Sequence, residues 1–317
     1  MAKRLVALTT GLLLCAAALA AESRLLAPVE VLQGQLLRAA MHPAAPDGTV
    51  RGVLRREDRV VLTADGFLAA FPEEETAAVV LFGIPSTLRT GMYELEVVQE
   101  AQGVEVLLSQ DVRVVEDTFA EQTIPLNKVL TDIRAKPDPR KTEQSRELWV
   151  LLTTTDPNAW YHGDAFVLPL SEARRTSSYG DRRTYRYSDG STANAVHFGL
   201  DLAAPAGTPV AAAGAGKVVF AEDRIVTGLT VVLEHLPGVY TLYYHLDDIA
   251  VAVGDVIEQG AVLGGVGSTG LATGPHLHWE VRVSGVPVRP GPLVTLPVLD
   301  KESIFSMISG YLPEEGR

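Results

Sequence analysis

Short runs of Val and Leu, broken at regular intervals by turn residues, fill the first third of the chain. Residues 50–54, 59–62, 77–82, 92–99 and 104–115 are such runs, and Pro46-Asp47-Gly48, Ala64-Asp65-Gly66 and Gly91 punctuate them. Branched aliphatic side chains suit a pleated, half-buried surface, so this spacing predicts an Ig-like β-sandwich over residues 21–118. The stretch contains neither Trp nor Cys, which limits the Ig likeness to shape. A small sandwich of this kind reads as a spacer, or as a docking place for a regulatory protein, with no site of its own.

Residues 119–165 change character. They are richer in charge, Lys136-Pro137-Asp138-Pro139 interrupts any regular element, and residues 143–152 suit a helix. A linker carrying one helix is the expectation. From 166 to 296 a β pattern returns, with alternation in 230–235, 239–245 and 256–266. Its glycines are dense, at Gly254, Gly260, Gly264, Gly265, Gly267, Gly270 and Gly274. This predicts a Gly-rich antiparallel β domain, in which residues 184–196 read as a polar loop. Residues 297–317 form a tail, with a short helix around Ile304, Phe305 and Ile308. The chain as a whole is expected to be mainly β.

Lys3 and Arg4 precede an apolar run over residues 5–19, and Ala18-Leu19-Ala20 has the small residues of a cleavage site. Residues 1–20 therefore read as an export signal, the competing reading being an uncleaved N-terminal membrane tether. Either places the remainder outside the cytoplasmic membrane, in the periplasm or cell envelope. Cys15, inside this run, is the only cysteine. An exported and cleaved chain would hold no disulfide and no thiol, which excludes cysteine peptidase chemistry. Hydrophobic residues at 47% and charged residues at 21% describe a folded protein. The net charge of −12 argues against nucleic acid as a partner.

Chemistry concentrates in the histidines. The chain has seven, and five of them fall between His197 and His278. His276-Leu277-His278 leads into the apolar stretch 279–283, which reads as a strand. Strand alternation puts His276 and His278 on one face. The spacing of His197 and Asp201, with Gly199 between them, likewise sets both on one side. Two imidazole nitrogens and a carboxylate are a zinc-type donor set, binding at roughly 2.0–2.2 Å. A catalytic zinc keeps a position open for water and needs a base within reach. His245, which ends the alternation Thr241, Tyr243, His245, and His276 are the candidates for that base. Spacing alone leaves open which of His276 and His278 holds metal. His235 ends a strand and reads as structural; His162 reads as a surface residue.

Three segments together resemble the lysostaphin/LytM family of zinc metallopeptidases. They are His197-Phe198-Gly199-Leu200-Asp201 with Ala204-Pro205-Ala206-Gly207-Thr208-Pro209-Val210 after it, Tyr243-Tyr244-His245-Leu246, and Gly274-Pro275-His276-Leu277-His278-Trp279-Glu280. Ser177-Ser178-Tyr179-Gly180-Asp181-Arg182 is similar to the family's lead-in, with Tyr179 where Phe is usual. The resemblance implies His197, Asp201 and His278 as zinc ligands and His245 and His276 as the catalytic pair. It also implies a narrow groove over the metal, and hydrolysis of peptide bonds in peptidoglycan stems or cross-bridges. One alternative is a non-catalytic adaptor that activates other wall hydrolases, its groove covered by residues 119–156. Another is a lipoyl-type carrier, which would need an exposed lysine at a hairpin tip; Lys217 enters a strand instead.

Overall fold

The computed structural model of the chain describes residues 23–71 and 75–309. The expected export signal at 1–20 lies outside the described residues, as does the end of the tail. No helix among the described residues is long and apolar enough to cross a membrane.

The N-terminal unit is a sandwich of two sheets. One runs in the spatial order Arg24–Leu26, Leu36–His42, Thr76–Gly83, Phe67–Ala70. The other runs Glu30–Leu32, Val104–Val115, Gly91–Ala101, Thr49–Arg56, Arg59–Asp65. Leu37, Met41, Leu54, Phe82 and Leu95 fill the space between them.

Two strands of the first sheet are apolar on both faces. Along Leu36–His42, the side chains of Leu37, Ala39 and Met41 enter the sandwich, while Leu36 and Ala40 enter a second core. Along Thr76–Gly83, Ala78, Val80 and Phe82 point one way and Ala77, Val79 and Leu81 the other. A strand covered on both sides reads as an unbroken apolar run, which is what residues 77–82 display. The second core also holds Leu233, Trp279, Val281 and Leu299, so the two β units share it. Arg38 donates from Nε to the Val298 carbonyl at 2.9 Å, and Arg182 from Nη2 to the Ser86 carbonyl at 2.8 Å. Domains usually move relative to one another unless their interface is large and hydrophobic. This interface is apolar at its centre, as expected of a sandwich that buttresses its neighbour.

The C-terminal unit is built on a 10-stranded antiparallel sheet. Three neighbouring strands at its middle, Leu200–Ala203, Leu277–Val283 and Val239–Ile249, position the chemistry. Their register sets Asp201 opposite His278, and His278 opposite Tyr244.

Residues 119–165 hold more structure than one helix. Glu121–Pro125 is a strand lying parallel to Arg182–Arg186, which pairs antiparallel with Thr192–Val196. The expected loop at 184–196 is therefore mostly a hairpin; its strands, RRTYR and TANAV, lack the apolar alternation that would reveal them. Two helices follow the 121–125 strand, Lys128–Ala135 and Pro139–Thr153. Asn127 caps the first by accepting from the Leu130 N–H. Asp138 caps the second, and Pro139 opens it where a missing N–H costs nothing. Leu148 and Leu152 seat this second helix on Val232, Tyr240 and Leu242.

Candidate metal centre and active site

His197, Asp201, His245, His276 and His278 all line one groove of about 1210 Å³. Asp201 and His278 arrive as cross-strand partners. His197 comes from the connection between Thr192–Val196 and Leu200–Ala203, held by its N–H on the Asp181 carbonyl at 2.9 Å and its carbonyl on the Gly180 N–H at 2.7 Å. Gly199 makes this approach possible. A Cβ at that position would lie 2.4 Å from the Trp279 carbonyl oxygen and 2.9 Å from His278 Nε2, so any larger residue would drive the His197 segment off the His278 strand.

Asp201 Oδ1 lies 3.0 Å from His197 Nε2 and 2.8 Å from His278 Nδ1, and those two nitrogens are 2.9 Å apart. The outward nitrogens are committed elsewhere. His197 Nδ1 donates to the Ser178 carbonyl at 2.8 Å, and His278 Nε2 donates to the Glu280 carboxylate at 2.9 Å. Carbonyls and carboxylates only accept, so hydrogen bonding assigns the protons to the outward nitrogens. Neutral rings then turn their lone pairs inward, towards a carboxylate oxygen. Three such atoms at this spacing repel unless a cation or a proton lies among them.

In the protein alone a proton serves. Burial disfavours a charged His278, but its bonds to Asp201 and Glu280 outweigh burial and raise it to about 9. Against the same desolvation, its contacts with His197 and with a charged His278 hold the Asp201 carboxyl well below the usual carboxylate range. Two buried nitrogens and one oxygen, with no thiolate nearby, also fit a divalent ion of the zinc type.

Behind this cluster stand residues to which the sequence assigned no role. Arg183 pairs with Asp201 Oδ2, which leaves Oδ1 for the histidines. Glu280 anchors His278 and is itself anchored by Arg282 Nη2 at 2.6 Å. Burial opposes its ionisation, yet the charges of Arg282 and His278 draw it down to about 2. The Tyr244 ring lies parallel to His278, with centroids 5.3 Å apart. Alternation could have found Glu280, two residues beyond His278 on one strand face; nothing local marks Arg183.

His245 and His276 face each other across the groove, with ring centroids 4.9 Å apart. Each donates from Nδ1 to a carbonyl, His245 to Thr269 at 2.8 Å and His276 to Gly274 at 2.9 Å. Their Nε2 atoms are thereby left as acceptors, that of His276 lying 3.7 Å from Asp201 Oδ1. His245 does not share a face with Tyr243 as alternation predicts. Tyr243 is fully buried in the core, and Tyr244 and His245 both line the groove. The cause is a φ of 64° at His245, a left-handed conformation that interrupts the pleat. It costs about 1–2 kcal/mol for a residue with a Cβ and persists because surrounding packing enforces it. Burial, then the neighbouring His276 and His278, push the His245 imidazole down to about 3.

The other histidines stand apart. His42 pairs with Glu75 at 2.8 Å, and His162 stacks on Phe166. His235 is wholly buried, with Nδ1 donating to the Ala215 carbonyl at 2.7 Å and Nε2 lying 2.7 Å from Thr241 Oγ1. Burial pushes it down to about 3, whereas an unfolded chain protonates its histidines near pH ~6.5. Between those values the unfolded state takes up a proton that the native state refuses. Stability is therefore complete above pH ~6.5 and falls as the pH drops, by up to about 1.4 kcal/mol per pH unit for this one group. Urea midpoints measured from pH 7 to pH 4 are expected to fall, with a shallower fall in His235→Gln. Equal slopes in the two proteins would refute this account.

Residues 195–290, which contain all five groove residues, match the family model described as Peptidase family M23. The likeness to that family lies in this stretch, which is under a third of the chain. DD-carboxypeptidase/endopeptidase Mpg of Neisseria meningitidis is 43% identical over 129 residues, which are 39% of this chain and 28% of that protein. Peptidoglycan DD-endopeptidase ShyA of Vibrio cholerae is 44% identical over 94 residues, 30% of this chain and 22% of that one. The chain thus spans under a third of the length of these curated relatives. A crystal structure of a putative M23 peptidase from Pseudomonas aeruginosa aligns with a TM-score of 0.57 at 23% identity, over 83% of this chain and 94% of that one. Coverage that wide takes in the sandwich as well as the M23 domain, so the two-unit fold is shared.

Proposed function

We propose that this chain is a zinc-dependent endopeptidase that hydrolyses peptide bonds in the stems or cross-bridges of peptidoglycan, outside the cytoplasmic membrane. The observation that carries the reading is the convergence of His197 Nε2, Asp201 Oδ1 and His278 Nδ1 at the floor of an open groove, faced by two further imidazoles. The family match and the peptidoglycan endopeptidases among the relatives support the substrate class.

His197, Asp201 and His278 would hold the zinc ion. When bound, zinc supplies Lewis acidity, lowering the pKa of a water and polarising the scissile carbonyl. The remaining work falls to the protein. His245 stays neutral through the physiological range, and its Nδ1 is fixed on the Thr269 carbonyl. Its Nε2 is therefore an acceptor able to take the proton from the attacking water. His276, held through Gly274, stands opposite with its Nε2 free to take that proton over from His245; so protonated it would steady the oxyanion and then return the proton to the leaving amine. Arg183 and Glu280 keep the ligand set oriented without entering the reaction.

An adaptor role would call for a gap among the five residues or a covered groove. All five line the groove, and among the described residues, 122–126 contribute to its wall, which favours the peptidase reading. Purified protein incubated with isolated cell walls tests the reading. One zinc per chain and release of cross-linked peptides, with new amino termini and inhibition by a chelator, is the expected result. Intact walls after incubation with fully zinc-loaded protein would overturn it.

A further inference from the structure

The groove carries a charge pattern that zinc hydrolysis does not require. The chain has a net charge of −12, yet among the described residues the acids lining the groove are Asp201 and Glu280 alone. Both are already engaged, Asp201 by Arg183, His197 and His278, and Glu280 by His278 and Arg282. Facing them are Arg134 and Arg174, which also line the groove. Neither is ion-paired to an acid among the described residues. Arg134 sits over the buried Tyr185 ring, its guanidinium carbon 3.9 Å from the centroid, and its Nε is buried without a hydrogen-bond acceptor. A guanidinium held over an aromatic ring has given up part of its freedom in advance and keeps a fork of donors suited to bidentate binding.

The location follows from strand geometry. Tyr185 lies two residues beyond Arg183, on the same face of Arg182–Arg186. Arg174 is registered opposite Ala203, two residues beyond Asp201. Each guanidinium therefore belongs to a position about 7 Å along a strand from the Asp201–Arg183 pair. An extended peptide covers the same distance in about two residues.

We propose that Arg134, supported by Tyr185 and with Arg174 beside the same groove, forms a carboxylate-binding subsite that selects acidic peptides, its carboxylate lying about two residues from the bond to be cut. This rests on the peptidase reading above and adds the charge class of the substrate. Arg134 reaches the groove from the helix Lys128–Ala135, so a segment outside the M23 match would set the specificity of the M23 domain.

The test compares a cross-linked peptide bearing free carboxylates with the same peptide amidated, at its terminal or its side-chain carboxylates in turn. Zinc-loaded full-length protein is expected to favour the acidic form by about 10- to 100-fold in kcat/KM, chiefly through KM, as for a lost charge-assisted pair. Arg134→Gln is expected to reduce that preference to within about threefold, with zinc content and melting temperature preserved, and Arg134→Lys to recover part of it. The amidation that matters identifies the carboxylate that is held. Equal cleavage of all forms by the unaltered protein, or full discrimination by folded Arg134→Gln, would overturn the proposal. Binding of the same peptides to His245→Ala separates the two readings. A preference for the acidic peptide that Arg134→Gln removes supports the subsite even if no bond is ever cut, whereas equal binding rejects it whatever the reaction.

Discussion

His278→Ala is expected to leave the protein with well under one zinc per chain and to lower cell-wall cleavage by at least about a thousandfold. The size of the effect follows from what His278 joins together. Its Nδ1 meets Asp201 Oδ1 at 2.8 Å and its Nε2 meets Glu280 at 2.9 Å, so truncation removes a proposed zinc ligand and leaves two buried carboxylates each short of a partner. Breaking a buried charged network by deleting one partner typically costs about 3–5 kcal/mol, and part of the loss could then be mistaken for unfolding. Glu280→Gln separates the two. It keeps the ligand ring and loses only its anchor, so zinc affinity should drop about 10- to 100-fold while the fold persists. Metal content by mass spectrometry, a chelator-competition titration and circular dichroism together decide the matter. Full activity in His278→Ala would remove this residue from the metal site.

The features that were legible in the sequence are those with a short period. The pair at 276 and 278 and the four-residue step from 197 to 201 were legible as spacing, although His197 and His276 lie just ahead of the strands that carry Asp201 and His278. The register of Asp201 against His278 gives them a common groove. Arg183 was not legible, because its contact with Asp201 spans 18 residues and a hairpin whose strands carry few large apolar side chains. Nor was the placement of His245. Alternation predicts a shared face with Tyr243, and only the left-handed φ of 64° turns it into the groove. That angle is imposed by packing, and no glycine or asparagine signals it.

The sandwich shows the same division. Its strands were readable from Val and Leu runs, but Leu36–His42 was not, since LLRAAMH lacks alternation. The reason is visible in the packing: Leu37 and Met41 serve one core and Leu36 and Ala40 another. A sequence written for two interfaces at once loses the period that betrays one. The shared core also changes what the N-terminal unit is for. Arg182, from the lead-in beside the groove, ends on the Ser86 carbonyl of the sandwich, so the sandwich braces the hairpin that delivers Arg183 to Asp201.

His245→Ala should behave oppositely to His278→Ala, retaining one zinc per chain while kcat falls by about 10²–10⁴. The prediction rests on where the ring is tied. His245 Nδ1 donates to the Thr269 carbonyl at 2.8 Å, and its Nε2 is not one of the three converging donor atoms. Removing it subtracts a proton acceptor and leaves the ligand set whole. It also releases a conformation that cost about 1–2 kcal/mol, although alanine at the same φ inherits that cost, so little change in melting temperature is expected. His276→Ala should give a comparable fall. The double variant should be scarcely worse than either single one, because two groups that handle one proton act as a unit. If instead the two losses multiply, the residues work independently and the shared proton path is wrong. If His245→Ala loses its zinc, the division into three ligands and a pair fails at its first assignment.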